Sequence, residues 1–142
     1  MRTTKTSRKN DARTRGDWQG MNWIRQEKRL AIYMRDGLAC VWCGVAVESG
    51  TSLSLDHVTP HSHGGSNGAE NLITCCERCN KSRGARSVKL FAAAVAEYLD
   101  HGVEPVEIIA HVRAACRREL PLAEAKKMIA RRGSAARVLA EM

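Results

Sequence analysis

Apolar positions recur along this chain with two different periods, and the change of period divides it. Between Ser52 and Val58, Leu53, Leu55 and His57 alternate with Ser54 and Asp56, which is the two-residue repeat of a short strand, and Pro60 ends it. Asn71 to Cys75 reads as a second short strand, pairing back across a loop, His61 to Glu70, that is rich in Gly64, Gly65, Asn67 and Gly68. Elsewhere the period is helical. Trp23, Ile24, Leu30, Ala31 and Met34 predict a helix over Met21 to Asp36, stopped at Gly37, with its apolar side packed on the module that the paired cysteines staple and its basic side solvated or facing nucleic acid. A helix is expected to start near Asn80. Beyond Gly84 come an amphipathic segment from Val88 to Leu99, a helix opened by Pro105 with Val106, Ile109, Val112, Ala115 and Cys116 on one side, a third opened by Pro121 and stopped near Gly133, and a short Ala-rich piece.

Composition narrows what this pattern can build. Aromatic residues make up only 4% of the 142 positions, so the core must come mainly from Ala, Leu, Val and Ile, and a metal staple would help it. A formal net charge of +8 favours a polyanionic partner such as nucleic acid. The stretch Met1 to Gly20 carries Arg2, Lys5, Arg8, Lys9, Arg13 and Arg15 among polar residues, so it reads as a disordered basic arm able to neutralise phosphates. No apolar run is long enough to span a membrane, and no secretory leader is recognised. Six cysteines without a leader point to a reducing, cytoplasmic compartment and to metal binding rather than disulfides.

Four of those cysteines form two pairs at two-residue spacing, Cys40 with Cys43 and Cys76 with Cys79. A tight turn lets both thiolates of such a pair reach one cation, and two pairs separated by a strand and a loop are the signature of a four-thiolate zinc site. Cys75 and Cys116 read as buried thiols. Strand, loop, strand and helix on such a staple make a ββα unit.

The stretch Leu55 to Gly84, LDHVTPHSHGGSNGAENLITCCERCNKSRG, resembles the HNH endonuclease family over roughly Cys40 to Gly84. Asp56-His57 resembles that family's acidic-His pair, Gly64-Gly65 its loop, and Asn71-Leu72 its central Asn. Asn80 stands where the family's last His is common, giving a His-Asn-Asn arrangement. Arg83, preceded by Lys81, lies near a common Lys position, and either could contact phosphate. The resemblance implies an α+β fold, a zinc-stapled ββα-metal (His-Me finger) unit flanked by an N-terminal helix and C-terminal helices. The expected division is 1–20 arm, 21–90 nuclease domain and 91–142 helical extension.

The residues give the chemistry independently. A phosphodiester repels nucleophiles, so its hydrolysis needs an activated water and a cation at the leaving oxygen. His57 is the candidate general base, since an imidazole accepts a proton near neutral pH. Asp56 and Asn80 are hard oxygen ligands suited to Mg²⁺ or Mn²⁺. Because adjacent strand residues point to opposite faces, Asp56 and His57 should sit where the strand ends and the chain turns. Asn71, by the resemblance, braces the loop and the backbone of the base. Asn80 could instead cap its helix, and Asp56 could be a turn-former. The expected activity is metal-dependent cleavage of DNA; the alternative is a zinc-stabilised nucleic-acid-binding module, or an assembly partner docking other proteins through the C-terminal helices.

Overall fold

The structure, a computed structural model, describes residues 23–47, 50–99 and 102–142. The basic arm of Met1 to Gly20, and Met21 at the expected helix start, lie outside the described residues. Ten residues, Gln26–Arg35, form α1, and the left-handed backbone at Gly37 (φ 76) and Leu38 (φ 58) turns the chain out of it. Trp23 and Ile24, expected inside this helix, precede it.

The sheet has two antiparallel strands, β1 Leu53–His57 and β2 Leu72–Cys76, in a register that pairs Leu53 with Cys76 and His57 with Leu72. Asn71 belongs to a short 3₁₀ turn, Ala69–Asn71, rather than to β2. All five residues of β2 are buried because the sheet is covered on both faces. Leu55 and Leu72 pack with Ile24, Ile32 and Tyr33 on the α1 side. Ile73 and Cys75 pack on the other side with Val41, Trp42, Phe91 and Val112.

Helix α2 spans Glu77–Arg83, beginning three residues before the expected start at Asn80. The reason lies in the second cysteine pair, which is itself the first turn: the Sγ of Cys76 caps the helix by accepting from the Cys79 amide. Asn80 is therefore inside the helix, and the reading of Asn80 as its cap is corrected.

Four helices follow: α3 Val88–Leu99, α4 Pro105–Arg117, α5 Leu122–Arg132 and α6 Ala135–Ala140. Pro105 occupies the first turn of α4, where its missing amide hydrogen costs nothing, and Glu104 and Glu107 close a reciprocal capping box. The buried face of α4 is Ile108, Val112 and Ala115, while Val106, expected on it, is 68% exposed. α3 and α4 share the core of the cysteine pairs and β2. α5 and α6 instead cover α1, packing Ala125, Ile129, Ala135 and Val138 on Leu30 and Ala31. Hydrophobic contacts thus run across the expected boundary at residue 90 in both directions.

The basic side of α1 is solvated only in part, at Arg25 before its first turn and partly at Lys28. Arg29 and Arg35 are buried, and Arg35 donates to the carbonyls of Ala69 (2.9 Å) and Leu72 (2.7 Å) while its Nε meets Asp36 Oδ1 at 2.8 Å. Asp36 in turn accepts the Thr74 amide at 2.8 Å. Periodicity in apolar residues cannot detect such a burial, because Arg35 is used to satisfy backbone carbonyls at the start of β2 and Arg29 lies over the Trp23 ring. The exposed basic residues of the C-terminal helices, among them Arg113, Arg117, Lys126 and Arg131, do remain at the surface.

Candidate functional site

The four cysteines of the two pairs converge. Their sulfurs all lie within 4.8 Å of one another, and Cys43 and Cys76 are 3.7 Å apart. A tetrahedral site with metal–sulfur bonds of about 2.3 Å has sulfur–sulfur edges of about 3.8 Å, so the cluster has the size to hold a metal. The first turn is fastened by Gly44 N to Cys40 O (2.8 Å), and Gly44 adopts φ 85, which an L side chain resists. Amides point at two of the sulfurs, Cys43 N at Cys40 and Cys79 N at Cys76. The bond with Cys43 holds Cys40 well below the usual thiol range, whereas Cys43 is pushed up to about 11 by the same partner, and Cys79 is raised by its bonds to Cys40 and Cys43. Cys75 is outside the cluster of four, buried, with its thiol raised by its contact with Cys40.

Next to this cluster, α2 is fastened to the end of β1. Arg83, 1% exposed, donates from Nη1 to Asp56 Oδ2 (2.8 Å) and to the His57 carbonyl (2.7 Å), and from Nη2 to the Val58 carbonyl (2.7 Å). Its Nε donates to Arg86 O, and its Cζ lies over the Trp42 ring, 5.2 Å from the centroid. Trp42 Nε1 gives Asp56 Oδ2 a second bond at 2.9 Å. Both donors therefore converge on one carboxylate oxygen. Three residues earlier on α2, Asn80 Nδ2 donates to Ser54 Oγ at 2.9 Å, which leaves its Oδ1 as an acceptor. Ser54 and Asp56 share one face of β1, so Asn80 and Asp56 meet the strand from the same side.

His57 lies on the opposite face. Its ring stacks on Trp23 (centroids 5.0 Å apart, planes at 29°) and meets His61 edge-on at 5.6 Å. Its Nε2 is 2.8 Å from Asn67 Oδ1. The loop that carries Asn67 is held by Asn71, whose Oδ1 accepts the Thr59 amide (2.8 Å) and whose Nδ2 donates to the carbonyls of Thr59 (3.2 Å) and Ser66 (2.9 Å). With Val58 N bonded to Asn71 O at 2.8 Å, the Asn71 side chain continues the strand ladder by one more step, as a peptide unit would. Gly65 makes this possible, since a Cβ there would stand 1.8 Å from the Thr59 oxygen.

Residues 40–86 match the family model for HNH endonuclease. This segment belongs to the HNH endonuclease family. Two curated proteins are similar to it: CRISPR-associated endonuclease Cas9 from Actinomyces naeslundii is 41% identical over 56 residues, 39% of this chain and 5% of that protein. CRISPR-associated endonuclease Cas9 from Corynebacterium diphtheriae is 34% identical over 65 residues, 45% of this chain and 6% of that protein. The chain thus spans about one-twentieth of the length of these relatives. The crystal structure of the Type II-C Cas9 enzyme from Actinomyces naeslundii aligns with 87% of this chain and 12% of that chain at a TM-score of 0.47 and 26% identity.

Within the HNH segment, the expected site residues divide into two groups. Asp56 and Asn80 both lie on the β1–α2 side, Asp56 bonded to Arg83 and Asn80 to Ser54, and His57 lies on the other face beside the loop that Asn71 braces. His57 is the last residue of β1, as expected, but it is still paired with Leu72, so Asp56 and His57 share the end of the strand and not its face. Arg83 is not a phosphate contact: it is buried and its donors are taken by Asp56 and backbone carbonyls. Lys81 is the exposed one, beside Glu77 at 3.4 Å. His61 and His63 form an exposed 3₁₀ turn. Sequence reasoning missed Trp23, Trp42 and Asn67 as neighbours of the site. Only Asn67 left a signal, as a polar residue in a glycine-rich loop.

Proposed function

We propose that this chain is a metal-dependent endonuclease that hydrolyses DNA phosphodiester bonds, nicking one strand or cutting both. The observation that carries the reading is the fastening of α2 along β1 within the family-matched segment: Arg83 holds Asp56 next to His57 at the end of the strand, and Asn80 meets the same face of the strand as Asp56, at Ser54. Likeness to two endonucleases, the +8 charge and the exposed arginines and lysines of α4 and α5 support a nucleic-acid substrate.

In this reading Cys40, Cys43, Cys76 and Cys79 hold a structural Zn²⁺, for which soft thiolates are selective. Asp56, through Oδ1, and Asn80, through its amide oxygen, would hold Mg²⁺ or Mn²⁺, which favour hard oxygen donors. Such a cation supplies stabilisation of charge on the phosphate and the leaving oxygen. His57 takes a proton from the attacking water, and Arg83 keeps the carbonyls of His57 and Val58 and the carboxylate of Asp56 in fixed register. The two faces of β1 then serve two ends of one reaction. In-line displacement needs the nucleophile and the leaving oxygen on opposite sides of phosphorus, so a base on one side of the strand end and a cation on the other suits an ester lying across that end.

A second reading is a nucleic-acid-binding module that does not cut. It is favoured by the Arg83–Asp56 pair, which offsets the only carboxylate assigned to the cation. Supercoiled plasmid incubated with Mg²⁺ or Mn²⁺ separates the two. Wild type is expected to nick it, and His57→Ala to lose about 10²- to 10⁴-fold in rate. Nicking that survives the substitution would remove His57 as base, and plasmid retardation without any nicking by wild type would establish the binding module.

A further inference from the structure

We propose that Asn67 is the positioning residue that decides which ring nitrogen of His57 receives the proton. The inference rests on the reading of His57 as general base. The Nε2 of His57 lies 2.8 Å from Asn67 Oδ1, and an amide oxygen only accepts. Nε2 therefore carries the hydrogen of the neutral ring, and the free lone pair is on Nδ1. When water is deprotonated, its O–H bond breaks, the proton goes to Nδ1, and the hydroxide is left to attack phosphorus. Nε2 keeps its hydrogen and its bond to Asn67 throughout. That bond becomes charge-assisted as the imidazolium forms, so Asn67 favours the charged product of the transfer as well as the starting orientation.

Asn67 is an exposed loop residue, yet its backbone is held from several directions. Its own carbonyl accepts from Lys28 Nζ of α1 at 2.6 Å. The preceding carbonyl, of Ser66, accepts from Asn71 at 2.9 Å, and Ser66 Oγ accepts the Gly68 amide at 3.2 Å. Trp23 then closes one face of the His57 ring. Asn71 thus acts on His57 at one remove, by fixing the segment that presents the Asn67 amide.

The test uses the full chain. Long-range ¹H–¹⁵N spectra of wild type without DNA are expected to show His57 protonated on Nε2 and bare on Nδ1. In plasmid nicking, Asn67→Ala should lower kcat by about tenfold with KM within about twofold, since orientation is lost and binding is not. Asn67→Asp keeps an accepting oxygen, so it should restore most of the rate and keep the His57 hydrogen on Nε2 in the same spectra. A purely structural role for Asn67 would not make the Nε2 proton signal depend on an accepting oxygen at this position. A proton on Nδ1 in wild type, or wild-type rates in both variants, would overturn the proposal. Because the spectrum needs no substrate, a wild type that never cleaves would count against the nuclease reading alone.

Discussion

Arg83 illustrates how much one side chain can be asked to hold. Its guanidinium is inside the protein, and its partners are a carboxylate and three backbone carbonyls from two segments. Such a fork suits Arg and not Lys, whose single ammonium cannot span the same set of acceptors. Removing it leaves the buried Asp56 carboxylate with the Trp42 indole as its donor among the described residues. Arg83→Met is therefore expected to lower stability by about 3–5 kcal/mol, read from urea unfolding, and a double variant that also carries Asp56→Asn should recover part of the loss. Equal midpoints for wild type and Arg83→Met would show that the pair is not what fixes the end of β1.

At the scale of elements, the metal cluster and α2 are one object, since Cys76 and Cys79 are both ligand candidates and the first turn of the helix. Stripping the metal with a chelator should then lose the α2–β1 fastening along with the ion, seen as a drop in thermal midpoint and a loss of protection of the Asp56 and Val58 amides. Thiols must shed protons to bind metal, and Cys43 is pushed up to about 11 by its bond with Cys40, so affinity should rise with pH and the ion should leave on acidification. Metal content unchanged between neutral and mildly acidic pH would contradict this. The two strands and the cysteine pairs were legible in the chain, because alternation at Leu53 and Leu55 and a fixed Cys spacing are local signals. The early start of α2 was not, since a cysteine sulfur is an unusual cap. Nor was the burial of Arg35, or the meeting of Trp23 with His57, because each depends on a partner tens of residues away. Asp56, Asn71 and Asn80 could be named from a pattern, but which face of the strand each serves required the register.

For the whole molecule, α1 is the shared wall. One flank carries Ile32 and Tyr33 against the strands, the other carries Leu30 and Ala31 against α5 and α6. Leu30 is fully buried, and Leu30→Ala should cost about 2–5 kcal/mol through lost contacts and an unfilled cavity. The loss should lower a single transition, with helix content and metal retention falling together, since α1 contributes side chains both to the core it shares with the strands and to the core it shares with α5 and α6. Two separated transitions would mean that the C-terminal helices and the HNH segment fold independently.

The pairing of Asp56 with Arg83 also bears on the sequence of assembly. A divalent ion arriving alone would find the Asp56 carboxylate already neutralised by Arg83, with little net attraction to offer it. A backbone ester brings the missing negative charge, so occupancy by Mg²⁺ or Mn²⁺ should become favourable only alongside nucleic acid. Calorimetric titration with Mn²⁺ should accordingly show weak uptake by the zinc-loaded protein and tighter uptake once an uncleavable duplex is present. Equal affinities in both titrations would argue for an ion held in advance of its substrate.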